Sequence, residues 1–173
     1  MGRRAIPDSE LQDWVANRLP EGLFTSFEVS SDHEEILVVG TIEQPEIEGS
    51  GDAIREAACE SAIAEFRERT RGERMTVARE AEHTLGRTLS WGAVCGGVRR
   101  LFTSNTVPVM TRLRLPERRV LDTLVDAGVA RSRSEALAWC VRRIGETEGE
   151  WLGELRQAFA HVEAVRVAGP NVA

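Results

Sequence analysis

The sequence predicts an α+β protein: antiparallel hairpins covered by a long helix, followed by a helical C-terminal module. Three observations carry this expectation. Two pairs of short apolar segments, at 23–42 and 89–103, are each separated by a few turn-forming residues, which is the pattern of a hairpin. Apolar residues at helical spacing run between the two pairs, from Asp52 to Leu85. Beyond Pro116 the apolar spacing is helical to the end.

Taken in order, residues 8–19 predict a short helix capped by Asp8 or Ser9, with Leu11, Trp14, Val15 and Leu19 on one stripe and Pro20-Glu21-Gly22 as its stop. Leu23 to Ser30 and Glu35 to Ile42 predict two strands around the turn Ser31-Asp32-His33. The run EILVVGTI is apolar without alternation, so burial on both faces is expected for the second strand. Residues 43–51 form an acidic loop bearing proline and glycine. A long helix follows Asp52. Ile54, Ala58, Ala62, Ile63 and Phe66 make its first stripe, and Met75, Ala78, Ala81 and Leu85 its second. Gly72 between them marks a bend or break, because glycine costs about 1 kcal/mol inside a helix. Gly86 is the expected stop. Leu89 to Cys95 and Val98 to Thr103 then predict a second hairpin around Gly96-Gly97.

Bulk properties narrow the function classes. A chain of 173 residues with 42% hydrophobic content can bury a real core. No apolar run approaches the roughly 18 residues of a membrane span. The start, MGRRAIPDSELQDW, lacks the apolar core of a secretory signal, so a cytoplasmic location is expected. All 22 basic residues are arginine, the codon bias of a GC-rich genome of actinobacterial type. Cys59, Cys95 and Cys140 form no C-x-x-C motif and read as buried small hydrophobes. His33, His83 and His161 have no Cys, Ser or Asp partner at a telling spacing. Ser90-Trp91-Gly92 is not a nucleophile elbow, and WGAVCGG lacks the spacing and following helix of a phosphate loop. No catalytic residue, metal set or cofactor is expected, and the protein is read as a non-enzyme.

Charge is polarised along the chain. Residues 1–96 hold 10 Arg against 19 acids, residues 97–145 hold 10 Arg against 4, and residues 146–173 hold 2 Arg against 5. The only net-positive block, at +6, contains the most patterned stretch, VPVMTRLRLPERRVLDTLVDAGVARSRSEALAWCVRRI, residues 107–144. Alternation within 107–115 predicts a strand with Leu113 and Leu115 on one face, and Arg112 and Arg114, with Met110 beside them, on the other. Pro116 is expected to end it. Arg119 to Ala127 predicts a short helix stopped by Gly128. Ser132 and Glu135 then make a capping box that opens a second helix, with Ala136, Leu137, Cys140, Val141 and Ile144 as its buried stripe and Gly145 as its end. Glu146 to Val167 predicts a last helix, its stripe of Trp151, Leu152, Leu155, Phe159 and Val162 packed in a core.

R-L-R-L-P at 112–116, with L-V-D-A-G at 124–128 and R-S-R-S-E-A-L at 131–137, resembles the ribbon-helix-helix family of bacterial repressors and antitoxins. The resemblance covers 107–144 and implies a domain plan: an acidic α+β domain at 1–105, a ribbon-helix-helix-like module at 106–145, and a C-terminal helix and tail at 146–173. It also implies a homodimer, in which the strand pairs with its twin and the ribbon enters the DNA major groove. Met110, Arg112 and Arg114 would then read base edges, and the helix start at Ser132, Arg133 and Ser134 would hold a phosphate. A second arrangement stays open, with the strand paired inside its own chain to residues 98–103. The expected function is a dimeric DNA-binding transcriptional regulator or antitoxin-like protein. The alternative is a non-catalytic protein-interaction or dimerisation module without nucleic acid.

Overall fold

A computed structural model describes residue 6 and residues 8–46, 51–103 and 105–169, apart from the side chains of Asp8, Glu163 and Val167. The chain divides into two compact units, residues 1–107 and 108–173.

In the first unit, helix α1 (Asp8–Ala16) puts Leu11 and Val15 wholly inside the core. Strands β1 (Ser26–Ser31) and β2 (Glu35–Thr41) form the expected antiparallel hairpin, with Val29 opposite Val38. Strand β1 starts three residues later than expected. Its turn is held by Asp32, whose carboxylate accepts the backbone N–H groups of Glu34 at 2.8 Å and Glu35 at 2.7 Å. These two bonds hold the Asp32 carboxyl below its usual range. Part of the loop expected at 43–51 lies outside the described residues.

The long helix is two helices, α2 (Asp52–Arg69) and α3 (Arg71–Leu85). The break falls at Thr70 and not at Gly72, which lies inside α3 with open space around it. The cause is a local knot of polar bonds. The Thr70 hydroxyl donates to the Phe66 carbonyl at 2.7 Å and accepts from Arg74 Nε at 2.9 Å. Arg74 also donates to the Arg67 carbonyl, so its buried guanidinium satisfies the end of α2, and it lies 4.6 Å from the centre of the Phe102 ring.

Strands β3 (Thr88–Cys95) and β4 (Val98–Leu101) form the second antiparallel hairpin. Only the first glycine of its loop, Gly96, takes a positive φ, 56°. The two hairpins are not separate. Strand β3 pairs parallel with β2, Val38 beside Trp91 and Gly40 beside Ala93, giving one sheet of order β1-β2-β3-β4. The α2–α3 pair is therefore the crossover that a parallel pairing requires. Ile36, Val38, Leu89, Trp91, Ala93 and Cys95 join Ile63, Phe66, Val77 and Ala81 of the two helices in one core.

The second unit holds three helices: α4 (Leu115–Asp126), α5 (Arg133–Thr147) and α6 (Gly149–Ala168). Helix α4 begins four residues before the expected start. Pro116 sits in its first turn, where a missing N–H costs nothing, and so starts the helix where it was expected only to stop a strand. Helix α5 runs through Gly145 to Thr147. The core of this unit is small: Leu121, Ala130 and Ala136 are buried, with Leu113, Leu124, Val125, Leu137 and Cys140 half-buried around them. Two expected stripes are only partly covered. Val141 and Ile144 are exposed, and so are Trp151, Phe159 and Val162 on α6. No described helix is long and apolar enough to cross a membrane.

Candidate nucleic-acid interface

Residues 105–114 are not a strand. They pair with no described residue of the first hairpin or the second, so the pairing with 98–103 does not form; β4 is bonded to β3 alone. The segment nevertheless enters the helix extended, with Arg114 at φ −82°, ψ 175°. The reason it stays open is the physics of a lone edge: its N–H and C=O groups need a partner strand, and a single chain supplies none.

One side of the segment is anchored. Leu113 packs on the small core of Leu121 and Ala136, and its carbonyl accepts from Arg118 Nη1 at 2.9 Å. The flanking side chains point away from that core. Met110 is 97% exposed, and Arg112 and Arg114 are exposed as well. Among the described residues, neither arginine has an ion-pair or hydrogen-bond partner for its side chain. Arg114 is also the N-cap of α4 and makes no capping bond. Ser, Thr, Asp or Asn would stabilise that position, whereas a cation opposes the positive end of the helix dipole. Local stability does not account for arginine there.

Helix α4 closes at Gly128 (φ 73°). Gly128 N–H donates to Val125 and Val129 N–H to Leu124, the crossed pair of bonds that turns the chain sharply toward α5. Ser132 then caps α5, its hydroxyl accepting from Glu135 N–H at 3.2 Å. The Glu135 carboxylate returns to the Arg131 N–H at 2.8 Å, one residue earlier than in a standard capping box, and also takes the Arg131 guanidinium. Those contacts hold the Glu135 carboxyl below its usual range.

Arg133 has a structural partner that the sequence did not announce. Its guanidinium forks onto Asp122 of α4, Nε to Oδ1 at 2.6 Å and Nη2 to Oδ2 at 2.8 Å. This pair fastens α5 to α4 and lowers the Asp122 pKa. The Arg133 guanidinium is therefore engaged within the helix pair, beside the exposed Ser134. The six expected residues fall into two groups. Met110, Arg112 and Arg114 are exposed on the segment before α4, and Ser132, Arg133 and Ser134 form the start of α5. Between residues 108 and 145 there are 8 Arg against 4 acids, whereas residues 146–173 hold 2 Arg against 5, so the net positive charge of this unit lies in the segment and the α4–α5 pair.

The comparisons divide the chain as its packing does. The family model described as "Rv1265-like protein, N-terminal domain" matches residues 9–101, and that described as "Mb1296 C-terminal domain" matches residues 114–166. The chain is 50% identical over 171 residues to the uncharacterized protein Mb1296 of Mycobacterium bovis, covering 96% of this chain and 73% of the relative. The same identity and coverage relate it to the uncharacterized protein Rv1265 of Mycobacterium tuberculosis. No solved structure matches it.

Proposed function

The chain belongs to the Rv1265-like family, and from that premise we propose that it is a cytoplasmic, dimeric DNA-binding regulator of transcription, of repressor or antitoxin type, that reads DNA through residues 107–144. The observation that carries the reading is the exposed, irregular segment at 107–114, which forms no strand in its own chain and bears Met110, Arg112 and Arg114 ahead of a capped helix pair. A twin segment would satisfy its open backbone edge and produce a two-stranded ribbon of the kind that enters a major groove. Arg112 and Arg114 then face base edges, where a guanidinium suits guanine through two parallel bonds. The N-terminus of α5 contributes N–H groups to a backbone phosphate.

Dimerisation has separate support. A unit that, among its described residues, buries only Leu121, Ala130 and Ala136 while exposing Val141, Ile144, Trp151, Phe159 and Val162 lacks a sufficient core of its own. A second copy would cover these side chains. The same apolar faces favour the alternative, a protein-interaction module without nucleic acid, so the test must separate the two.

A genome-wide DNA pull-down, followed by titration of the recovered sites at several salt concentrations, does so. Binding should weaken with salt at about −0.9 in log–log slope per phosphate contacted. Arg112→Ala combined with Arg114→Ala should lose sequence preference, each reader being worth about 1–3 kcal/mol of discrimination. If the double variant binds like the natural chain, the segment is not the reader. A monomeric mass by light scattering at micromolar concentration would defeat both readings.

A further inference from the structure

We propose that Cys59 and Cys95 are an oxidative modification site, a thiol pair that a hydroperoxide converts into a disulfide joining α2 to β3. The proposal is independent of DNA binding. Its basis is distance: the two sulfur atoms, 36 positions apart in sequence, lie 2.8 Å from each other. A covalent S–S bond measures about 2.04 Å, so closure needs a movement of roughly 0.8 Å. Both side chains are buried in the core of the first unit, which fixes them in place and keeps the pair together.

The two thiols are not equivalent. Cys95 is the donor. It lies at the end of β3, is wholly buried, and has the Cys59 sulfur and, more distantly, the Glu43 carbonyl at 3.7 Å as acceptors. Burial first, and the bond to Cys59 second, push its thiol up to about 12. Cys59 is the acceptor, and it lines a cavity of about 400 Å³ with Gln44, Asp52, Arg55 and Glu56. Gly96 packs closely against this sulfur. A Cβ there would stand 3.3 Å from Cys59 Sγ and 3.2 Å from Gln44 Oε1. Cys59 is 2% exposed and Cys95 wholly buried, and of the two only Cys59 lines the cavity, so a small hydroperoxide is expected to reach Cys59 first.

The chemistry balances in two steps. Cys59 gives up its proton and its sulfur attacks one peroxide oxygen. An S–O bond forms, the O–O bond breaks, and the remaining oxygen leaves with a proton as an alcohol or water. Cys59 is now a sulfenic acid. The Cys95 sulfur attacks it; the S–S bond forms, the S–O bond breaks, and the departing hydroxide takes the Cys95 proton as water. Two thiols lose two electrons and the peroxide gains them. The bond closes the chain from α2, through α3, to the end of β3, and so restricts the unfolded state of the first unit.

The test uses the full chain, reduced and then exposed to hydrogen peroxide. Free thiols are blocked under denaturing conditions and the digest is examined by mass spectrometry. The expected product is a Cys59–Cys95 linked peptide, lighter by about 2 Da than the two reduced peptides together, with Cys140 still free to be blocked, and reversal by dithiothreitol. The melting temperature should rise on oxidation by on the order of 10 °C. The order of attack has its own readout. In Cys95→Ser, dimedone should trap a sulfenic acid on Cys59; in Cys59→Ser, no adduct should form on Cys95. Full blocking of both thiols after peroxide treatment of the folded natural chain overturns the proposal, as does a crosslink through Cys140. Because that measurement needs no substitution, a variant that fails to fold leaves it decisive.

Discussion

Gly40→Ala should destabilise the first unit out of proportion to one methyl group. Gly40 lies in β2 beside Ala93 of β3, and a Cβ built on it would fall 2.0 Å from Phe24 Cδ1 and 2.2 Å from Cε1 and Cγ. Carbon atoms rest at about 3.5–4.0 Å, so the ring must retreat by roughly 1.5 Å. A shift of that size disturbs its tilted contact with Phe66, whose ring centre is 5.2 Å away. Losing that pair costs about 0.5–1.5 kcal/mol, and forcing an extra carbon into a packed site typically costs about 1–3 kcal/mol. Against this, alanine recovers about 0.5–1 kcal/mol of the backbone entropy that glycine loses in a strand. The net expectation is about 1–3 kcal/mol of lost stability, read from urea denaturation. Gly97→Ala is the control, because nothing lies within 4 Å of where its methyl group would sit, and it should change stability by less than about 0.5 kcal/mol. Phe24→Ala should remove the penalty, so the double variant should be less destabilised than the two single effects added together. A Gly40→Ala protein within about 0.5 kcal/mol of the natural chain, or additivity with Phe24→Ala, would refute the reasoning.

Two further outcomes follow from bonds already described. Ser132→Ala removes the cap of α5 and should cost about 1 kcal/mol, seen as faster hydrogen exchange at the start of α5 with the sheet unaffected. Asp32 has a folded pKa below its unfolded value of about 3.9, so its contribution is complete above that value and is lost as pH falls through the depressed one. Thermal melts between about pH 5 and 2 should therefore show a shallower acid limb for Asp32→Asn than for the natural chain, and equal limbs would argue against the turn bonds.

Periodicity and turn chemistry made most elements legible. The stripes of Ile63 and Phe66, then Ala78 and Ala81, marked helices because burial there follows a 3.6-residue period. The Gly96 turn and the Ser132 cap were legible because each is a local requirement of backbone geometry. What escaped was long-range or ambiguous. The parallel pairing of β2 with β3 depends on residues separated by two whole helices, and no local pattern encodes it. The break at Thr70 rests on the reach of Arg74, a side chain whose burial could not be read from its charge. Pro116 is compatible with the end of a strand and with the first turn of a helix, and the helix prevailed. Of the candidate residues, Met110, Arg112 and Arg114 are exposed, but so are Val107, Val109 and Leu115, so the alternation expected of a strand does not appear there, and the hold of Asp122 on Arg133 crosses two helices and left no local mark. The contact of Cys59 with Cys95 was hidden in the same way by the crossover between them.

The parallel junction between the hairpins has a consequence for how the first unit can be divided. Hairpins form locally, in about 1–10 μs, but β2 reaches β3 only after the helical crossover has folded back. Until then β2 presents one side of Ile36-Leu37-Val38-Val39 as an open apolar edge, the kind of template on which other chains add. A fragment that ends before β3 would carry that edge permanently and should aggregate, so residues 26–101 behave as an indivisible folding unit.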